Sequence, residues 1–378
     1  MKIVIIGTAY PYRGGLTAFN ERLAYEYLAQ GHQVEIYTFT LQYPSFLFPG
    51  KTQYSDDPAP DGINIYRKIN SVNPLNWLIT GREIRKKQPD LVVIKFWLPF
   101  MAPCFGSIAR IIRKNRKTKI VSILDNLVPH EKRIGDRALT KFFVKSVDGF
   151  VAMSQSVLAD INIFNRQKPR IYSPHPLYDN FGEKTTRKEA LEKLGLDENT
   201  RYILFFGFIR NYKGLDLLLE AFSDKRLRRN IKLLVAGEFY NNAEQYFALE
   251  KELGLQGAII WANNFIADSD VRYYFGACDL VVQPYKSATQ SGVTQIAYHF
   301  EKPMLVTNVG GLSEIVPHGE AGYVVEPEKQ AVADAMVDFF ENKDKETMFI
   351  ENIKSEKEKF SWAKMTDSIK HLTKIIKR

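Results

Sequence analysis

Short runs of β-branched and other apolar residues alternate with longer amphipathic stretches along the chain, which is typical of βαβ units and a parallel sheet. The pattern occurs twice. In the first half the predicted strands cover residues 2–6, 33–38, 91–95, 119–124 and 149–153. In the second half they cover residues 202–207, 232–236, 258–261, 280–283, 304–307 and 322–325. The sequence therefore predicts an α/β protein with two doubly wound, Rossmann-like domains facing a central cleft, where open α/β sheets bind ligands.

The chain between the two series is rich in turn residues and indicates the domain boundary. Pro174, His175 and Pro176 lie here, and a charged helix is predicted at 187–194. We assign residues 1–182 to an N-terminal domain and 183–361 to a C-terminal domain. A final amphipathic helix over 362–378 could pack on either domain, and by crossing back it would complete the first.

Composition narrows the class of protein. The 378 residues are 45% apolar and 25% charged, which excludes a disordered or collagen-like chain. Two cysteines far apart in sequence fit neither a zinc site nor a disulfide framework. No stretch approaches the roughly 20 apolar residues of a membrane span, and the apolar run at 2–6 is too short for a signal peptide. We therefore expect a cytoplasmic protein without a structural zinc site.

The positive charge is unevenly placed. Of the net charge of +9, residues 1–182 carry +11 and residues 183–378 carry −2. Such a field suits an anionic partner, which could be phospholipid, nucleic acid or a phosphate-bearing substrate.

Three loops between a predicted strand and a predicted helix suit phosphate groups. Gly14 and Gly15 directly precede the first helix, so backbone N–H groups there could face an anion, although a plain turn is the alternative. Arg210 and Lys213 follow the strand at 202–207 and could clamp a diphosphate, a solvated basic loop being the alternative. The polar segment 284–293 precedes another helix and forms a third candidate.

Four segments carry a resemblance to a known family. They are Phe-Gly-Phe-Ile-Arg-Asn-Tyr-Lys-Gly-Leu-Asp within 205–216, the segment 287–298, Lys302-Pro303 before a strand, and Gly-Gly-Leu-Ser-Glu at 310–314. These segments resemble the group 1 family of retaining glycosyltransferases, which have the GT-B fold. The likeness is strong over about residues 200 to 335 and weaker, though collinear, before them.

The resemblance implies a hexosyltransferase that moves a sugar from a UDP- or GDP-sugar to a glycan or lipid-linked acceptor with retention of configuration. The setting that it implies is bacterial surface polysaccharide synthesis. It implies neither a cofactor nor a metal, because the nucleotide-sugar is a co-substrate. Arg210 and Lys213 would hold the donor diphosphate and stabilise the leaving nucleotide electrostatically. The other donor-binding positions implied are Gly14, Gly15, Gly207, Ile266, Thr289, Gln290, Ser291, Gly292, Val293, Gln295 and Glu314. Those implied on the acceptor side are Tyr12, Arg13 and Glu131.

Five positions depart from the family pattern or remain open. Where relatives have two glutamates eight residues apart, this chain has Ser287 and Gln295, so the carboxylate near the transferred sugar is missing. Asp125 stands where many relatives have a catalytic His, and we expect it to bind sugar hydroxyls. His130 is a second catalytic candidate as an acid or base, with bracing of its loop as the alternative. Glu314 either accepts from the donor ribose or makes a capping hydrogen bond.

The basic surface suggests a membrane. Residues 110–119 contain six Lys or Arg, and residues 43–51 are rich in aromatics. Relatives that act on lipid-linked acceptors often rest such a domain on the cytoplasmic leaflet, so we expect peripheral contact with an anionic membrane surface. The alternatives are a solvated basic face and a loop that folds over the acceptor.

Two other functions stay open. A nucleic-acid-binding protein would explain the charge of the first half, but no recognised RNA or DNA module accompanies it, and we expect no nucleic acid. A catalytically inactive homologue that binds nucleotide-sugar or glycan would explain the absence of a carboxylate at Ser287.

Overall fold

The computed structural model describes residues 1–44, 53–55, 58–128, 134–227, 230–240, 242–288 and 291–377. The chain divides into two compact units. Unit 1 comprises Met1–His175 and Ser361–Arg378, and unit 2 comprises Pro176–Phe360.

Unit 1 contains one sheet and six helices in its described part. Its strands are β1 Lys2–Ile6, β2 Gln33–Leu41, β3 Asn64–Asn70, β4 Leu91–Phe96, β5 Lys119–Leu124, β6 Gly149–Ala152 and β7 Arg170–Tyr172. Its helices are α1 Gly15–Ala29, α2 Pro74–Lys87, α3 Ala102–Arg113, α4 Asp136–Ser146, α5 Gln155–Phe164 and α13 Trp362–Ile375.

The unit 1 sheet is parallel throughout, in the order β3-β2-β1-β4-β5-β6-β7. Its central strands are nearly continuous apolar runs, as expected where helices cover both faces. All six residues of β4 are buried, including the single charged residue, Lys95. The strand order reverses between β1 and β4, and open α/β sheets bind ligands at the carboxyl ends of strands at such a switch point.

Unit 2 repeats this architecture. Its strands are β8 Arg201–Phe206, β9 Ile231–Ala236, β10 Ile259–Ala262, β11 Leu280–Gln283, β12 Met304–Thr307 and β13 Gly322–Val325. Its helices are α6 Arg187–Leu194, α7 Leu215–Phe222, α8 Glu244–Glu252, α9 Asp268–Ala277, α10 Gly292–His299, α11 Lys329–Glu341 and α12 Lys343–Glu356. The parallel sheet has the order β10-β9-β8-β11-β12-β13, so its switch point lies between β8 and β11.

The predicted fold class is confirmed, and each predicted strand is present. Two strands were not predicted, and both are edge strands of unit 1. The edge strand β3 reads Asn-Ile-Tyr-Arg-Lys-Ile-Asn and is largely solvent-exposed, so it lacks the apolar run of a central strand. The strand β7 has only three residues.

The division between the units falls at His175, seven residues before the boundary drawn from the sequence. The intervening segment belongs to unit 2 because it packs there. Tyr178 and Phe181 are buried, with ring centroids 5.9 Å apart. The Leu177 N–H donates to the Phe360 carbonyl at 2.9 Å, which ties together the two ends of unit 2.

Helix α13 belongs to unit 1, as its crossing back would require. The Trp362 ring lies 5.0 Å from the Phe19 ring, and the Arg22 guanidinium lies 5.4 Å from the Trp362 ring. Farther along the helix, Gln30 donates to the Thr366 hydroxyl at 2.7 Å. The helix therefore supplies part of the apolar layer on the α1 side of the sheet.

The basic stretch 110–119 is not one helical face. Helix α3 ends at Arg113, and Arg116 adopts a positive φ of 58° in the following turn. Arg113 forms an ion pair with Asp148 at 3.1 Å, and Arg110 donates to Ser146 at 2.9 Å. Part of this charge is therefore used inside unit 1. The aromatic residues 46–48 lie outside the described residues, and no described helix is both long and apolar enough to cross a bilayer.

The contacts of α13 predict that Trp362→Ala lowers the free energy of unfolding of unit 1 by about 3–5 kcal/mol, because the truncation leaves a cavity beside Phe19. Urea denaturation followed by circular dichroism measures the change. The matched control is His371→Ala, an exposed position of the same helix, for which we expect a change within about 0.5 kcal/mol. Equal losses in both variants would contradict the assignment.

Candidate functional site

Unit 2 brings three of the predicted donor residues together at its switch point. Gly207 directly follows β8 and has a φ of 96°, a conformation that favours glycine. A methyl group built on Gly207 would lie 3.2 Å from Lys213 Nζ and 3.7 Å from Val293 Cγ2. The ammonium of Lys213 therefore sits at the carboxyl end of β8.

Two loops that flank this point are held close together. A methyl group on Gly214, which has a φ of 69°, would lie 2.0 Å from the Pro284 carbonyl oxygen. The Lys286 N–H donates to the Tyr212 carbonyl at 2.7 Å. The loop that carries Arg210 and Lys213 is thereby fixed against the loop that follows β11.

Arg210 and Lys213 carry positive charge that the described residues do not compensate. The Arg210 guanidinium lies 3.8 Å from the Tyr240 ring, and Lys213 Nζ lies 5.7 Å from the Tyr285 ring. Among the described residues, no carboxylate forms an ion pair with either cation, whereas the neighbouring Lys286 pairs with Asp216. Burial, reinforced by the charge of Arg210, lowers the pKa of Lys213 to about 7. Such a pair suits an anion.

The polar segment 284–293 after β11, the third candidate phosphate-binding loop, is only partly as predicted. The Ser291 hydroxyl accepts from the Val293 N–H at 3.2 Å, so Ser291 caps α10 and that amide is not free for a phosphate. The Tyr285 hydroxyl lies 3.3 Å from Ser291 Oγ. A methyl group on Gly292 would lie 2.7 Å from the Tyr178 ring, so only glycine fits there. Thr289 and Gln290 lie outside the described residues.

Gln295 is fully buried in α10. Neither its amide nitrogen nor its amide oxygen has a hydrogen-bond partner, and the nearby Gln283 amide nitrogen also has none. Unpaired buried polar atoms are costly. Gln295, one of the implied donor-binding positions, is therefore not accessible to a donor in this conformation, because α10 turns this residue inward.

The remaining donor candidates lie on loops. Ile266 is half-buried between β10 and α9. Glu314 is exposed in a turn where no helix begins. Ser287 is half-buried in the loop after β11.

Unit 1 has a second candidate site at its own switch point. A methyl group on Gly7, just after β1, would lie 2.5 Å from Asn20 Nδ2 and 3.5 Å from Lys95 Cβ. Buried near the start of α1, Thr8 Oγ1, Thr17 Oγ1 and Asn20 Oδ1 have no hydrogen-bond partner. The carboxyl end of β1 therefore holds polar groups that a ligand could satisfy.

The glycine pair begins α1 as predicted. Gly14 is the N-cap with a φ of 100°, it offers no side-chain cap, and Gly15 is the first helical residue. A methyl group on Gly14 would meet no atom within 4 Å. The Thr17 and Ala18 N–H groups donate to the Gly14 carbonyl at 3.0 and 3.1 Å, and the helix starts with open space beside Gly14.

Asp125 forms a buried ion pair with Lys95, at 2.8 Å between Lys95 Nζ and Asp125 Oδ1. The pair arises because the two residues end neighbouring strands, and the Asp125 N–H donates to the Phe96 carbonyl at 2.9 Å. Lys95 Nζ also lies 3.4 Å from the centre of the Phe19 ring. Burial lowers the pKa of Lys95, while Asp125 opposes that shift. The carboxylate, whose side chain is 13% exposed, is the part of the pair that a ligand could reach.

The predicted acceptor residues are not all available. Tyr12 is buried, with its ring 5.2 Å from the Tyr54 ring and 6.3 Å from the Phe39 ring, so it packs in the core instead of facing an acceptor. Arg13 is half-buried. His130 and Glu131 lie outside the described residues. His175, from the turn-rich boundary segment, is buried with its ring centroid 5.2 Å from that of Phe19.

Sequence reasoning missed Lys95, Tyr240 and Tyr285. Lys95 had a usable signal, because a lone cation in an otherwise apolar strand requires a buried partner. The two tyrosines had none, because their role depends on contacts with Arg210 and Lys213 made across the sheet edge.

Comparisons with known proteins agree with this geometry. Residues 186–356 match the family model described as glycosyl transferases group 1. O-antigen chain mannosyltransferase C of Escherichia coli is 24% identical over 353 residues, which cover 91% of this chain and 90% of that protein. An uncharacterized glycosyltransferase of Methanocaldococcus jannaschii is 24% identical over 350 residues, covering 86% of this chain and 85% of the relative.

Residues 186–356, most of unit 2, are thus those of a group 1 glycosyltransferase. The solved structure of Anabaena HepE in complex with UDP matches this glycosyltransferase with a TM-score of 0.76 at 16% identity, covering 99% of this chain and 100% of HepE. The GT-B fold expected from the sequence is thus confirmed.

No three His, Cys, Asp or Glu side chains come together as a metal site in the described part of this glycosyltransferase.

The burial of the Lys95–Asp125 ion pair predicts that substitutions of the two residues have strongly coupled effects on the free energy of unfolding. Either Lys95→Met or Asp125→Asn alone should lower the free energy of unfolding by about 3–5 kcal/mol, because each leaves a buried charge without its partner. The double variant should lose less than the sum by at least about 1 kcal/mol. A double-mutant cycle from urea denaturation measures this coupling.

The matched control is the exposed pair Lys68–Glu83, which is 2.8 Å apart. Its coupling should stay below about 1 kcal/mol. Equal coupling in the two cycles would show that burial does not govern the Lys95–Asp125 pair.

Proposed function

We propose that this glycosyltransferase moves a sugar from a UDP- or GDP-sugar to a glycan or lipid-linked acceptor, with retention of anomeric configuration and without a metal or other cofactor. The observation that carries the proposal is the pair Arg210 and Lys213, half-buried beside Gly207 with no described carboxylate partner. A diphosphate supplies the missing negative charge.

In the donor half, Arg210 can hold phosphate oxygens by bidentate hydrogen bonds, and Lys213 acts as a point charge. Negative charge grows on the β-phosphate as the bond from the anomeric carbon to the phosphate oxygen breaks. The two cations oppose that charge and therefore stabilise the transition state. The UDP complex of HepE supports a nucleoside diphosphate as the leaving group.

In the acceptor half, Asp125 presents its carboxylate to sugar hydroxyls while Lys95 holds it in place. The acceptor oxygen attacks the anomeric carbon on the face that the diphosphate leaves, and the departing phosphate oxygen takes the acceptor proton. This route needs no separate general base. His130 and Glu131, outside the described residues, remain acceptor candidates.

The setting we propose is bacterial surface polysaccharide synthesis at the inner face of the cell membrane. The support is the likeness to an O-antigen chain mannosyltransferase and the excess of positive charge in residues 1–182. We assign no nucleic acid partner, because the two parallel sheets are not a nucleic-acid-binding module.

A second candidate function is a catalytically inactive homologue that binds a nucleotide-sugar. It is favoured by Ser287, which supplies no carboxylate, and by the inward position of Gln295. Such a protein would bind the donor but show neither transfer nor hydrolysis, and product analysis with a panel of UDP- and GDP-sugars separates the two functions.

Donor binding tests the cation pair. Arg210→Ala and Lys213→Met should each weaken UDP or GDP binding about 10- to 100-fold, because each removes a charge-assisted contact. Isothermal titration calorimetry in the presence of EDTA measures the affinity and excludes a metal bridge. The control is Arg226→Ala, because Arg226 is already paired with Asp224 and Asp334. This variant should bind UDP or GDP with the affinity of the wild type.

The pH dependence follows from the same site. Lys213 has a pKa of about 7 in the free protein, and a bound diphosphate favours the ammonium and raises that pKa. Above about pH 7.5, where the diphosphate is fully ionised, binding should therefore take up a proton and weaken as the pH rises. Titrations in buffers of different ionisation enthalpy measure the uptake, and Lys213→Met should abolish it. Unchanged uptake in that variant would refute the role of Lys213.

Retention of configuration predicts that the product bond has the same anomeric configuration as the donor sugar. Proton NMR of the purified product reads the anomeric coupling constant directly. An inverted product would overturn the same-face route.

The acceptor role of Asp125 gives a separate prediction. Asp125→Asn should lower kcat more than it weakens donor binding.

A further inference from the structure

A groove between α6 and α9 of unit 2 is lined mostly by charged side chains. Its volume is about 460 Å³, which falls within the range of small-ligand sites. The residues that line it include Lys184, Thr185, Glu192, Lys193, Arg272 and Tyr273. None of them is a candidate donor or acceptor residue. We call this feature the α6–α9 groove.

Close packing fixes the walls of the α6–α9 groove. A methyl group on Gly276 of α9 would lie 2.5 Å from Thr185 Cγ2 and 2.9 Å from Ala190 Cβ, so only glycine lets α9 approach the start of α6 this closely. The Thr186 hydroxyl caps α6 by accepting from the Glu189 N–H at 3.2 Å, and the Glu189 carboxylate accepts from the Thr186 N–H at 3.0 Å. The groove is therefore formed before any ligand enters it.

Two cations of the groove lack a negative partner. The Arg272 guanidinium lies 4.8 Å from the centre of the Tyr273 ring, and the Lys193 ammonium lies 5.8 Å from the same centre. Among the described residues, no carboxylate forms an ion pair with Arg272 or Lys193, whereas Lys184 is paired with Glu301. Two positive charges beside one ring are thus available to an anion.

The hydrogen-bonding groups of Arg272 and Tyr273 are donors that need an acceptor. Arg272 Nη2 donates to the Tyr273 hydroxyl at 2.7 Å. Because the hydroxyl oxygen accepts this bond, the hydroxyl proton can be donated to another group. Arg272 Nε is buried and has no hydrogen-bond partner. A buried N–H without an acceptor is costly, and an anion with several oxygens would supply the acceptors.

Two carboxylates border the groove without neutralising these cations. Glu189 Oε2 already accepts three hydrogen bonds, from the Thr186 N–H and from the hydroxyls of Thr185 and Thr186. Glu192 is exposed, and no described cation forms an ion pair with it. A carboxylate accepts readily from hydroxyl groups. The groove therefore combines donors for an anion with an acceptor for hydroxyls.

A sugar that carries an acidic group has both kinds of partner. Its phosphate or carboxylate would bind Arg272 and Lys193, and the planar guanidinium can bind two oxygens at once. Its hydroxyls would donate to Glu192. A neutral sugar fits less well, because it would leave both cations uncompensated.

We propose that the α6–α9 groove is a second binding site of unit 2 and that it takes a sugar bearing a phosphate or a carboxylate. A free sugar phosphate and an acidic residue of a glycan chain share this chemistry. The site uses neither Arg210 nor Lys213, so its failure would leave the proposed function untouched.

The test is isothermal titration calorimetry of the full chain with three anionic probes: glucose 6-phosphate, glucuronic acid and a trimer of galacturonic acid. Wild type should bind the anionic probes at least 10-fold more tightly than glucose. Tighter binding of the trimer than of glucose 6-phosphate would identify a glycan chain as the ligand, and the reverse order would identify a free sugar phosphate.

Arg272→Gln and Lys193→Gln should each weaken binding of the preferred probe about 10- to 100-fold, because each removes a charge-assisted hydrogen bond. Arg272→Lys keeps the charge but not the two-oxygen contact, so it should weaken binding by a smaller factor. The matched control is Lys188→Gln, which replaces an exposed lysine of α6 outside the groove and should bind as the wild type does.

Three results would overturn the proposal. They are no wild-type binding to any anionic probe, equal binding by Arg272→Gln and Lys188→Gln, and loss of binding in Arg210→Ala, which would place the sugar in the donor site instead. Lys193 is exposed, so Lys193→Gln should keep the wild-type circular dichroism spectrum and melting temperature. Its lost affinity then reports the ligand contact and not unfolding.

Discussion

An ammonium group that is wholly or partly withdrawn from water needs negative charge nearby, and this requirement governs the carboxyl edges of both sheets. In unit 1 the chain meets it internally, with Lys95 held by Asp125 at 2.8 Å. In unit 2 Lys213 has Arg210 for a neighbour and no described carboxylate, and its pKa falls to about 7. The charge of Lys95 in unit 1 is balanced without a ligand, whereas the charge of Lys213 and Arg210 in unit 2 would be balanced by a bound anion.

Close backbone contacts allow Arg210 and Lys213 to lie at the carboxyl edge of the unit 2 sheet. Gly207 and Gly214 adopt positive φ values; a Cβ on Gly214 would collide with the Pro284 carbonyl, and a Cβ on Gly207 would lie tightly against Lys213 Nζ. The cations can therefore stand at the end of β8 instead of being pushed outward by a Cβ. A loop of the same charge without these glycines would be an ordinary solvated surface.

The sequence was sufficient for what depends on periodicity and local chemistry. Central strands, the glycines that begin α1, and the Arg210–Lys213 loop all followed from patterns within a few residues. Pairings between distant residues did not, because periodicity indicates that Lys95 is buried but not that Asp125 meets it. The inward turn of Gln295 and the use of the Val293 amide by Ser291 depend on how α10 packs and caps, which spacing alone does not determine. The edge strand β3 escaped detection because a strand at the sheet edge needs few apolar residues.

The assignment of α13 to unit 1 has a consequence for biosynthesis. Unit 2 is inserted between two parts of unit 1, and the Leu177–Phe360 hydrogen bond closes its ends. The ribosome therefore makes all of unit 2 before it makes the helix that covers Phe19. Until then, the layer of unit 1 that receives Trp362 is exposed to chaperones and to other nascent chains, while unit 2, a continuous segment, can already close its own core.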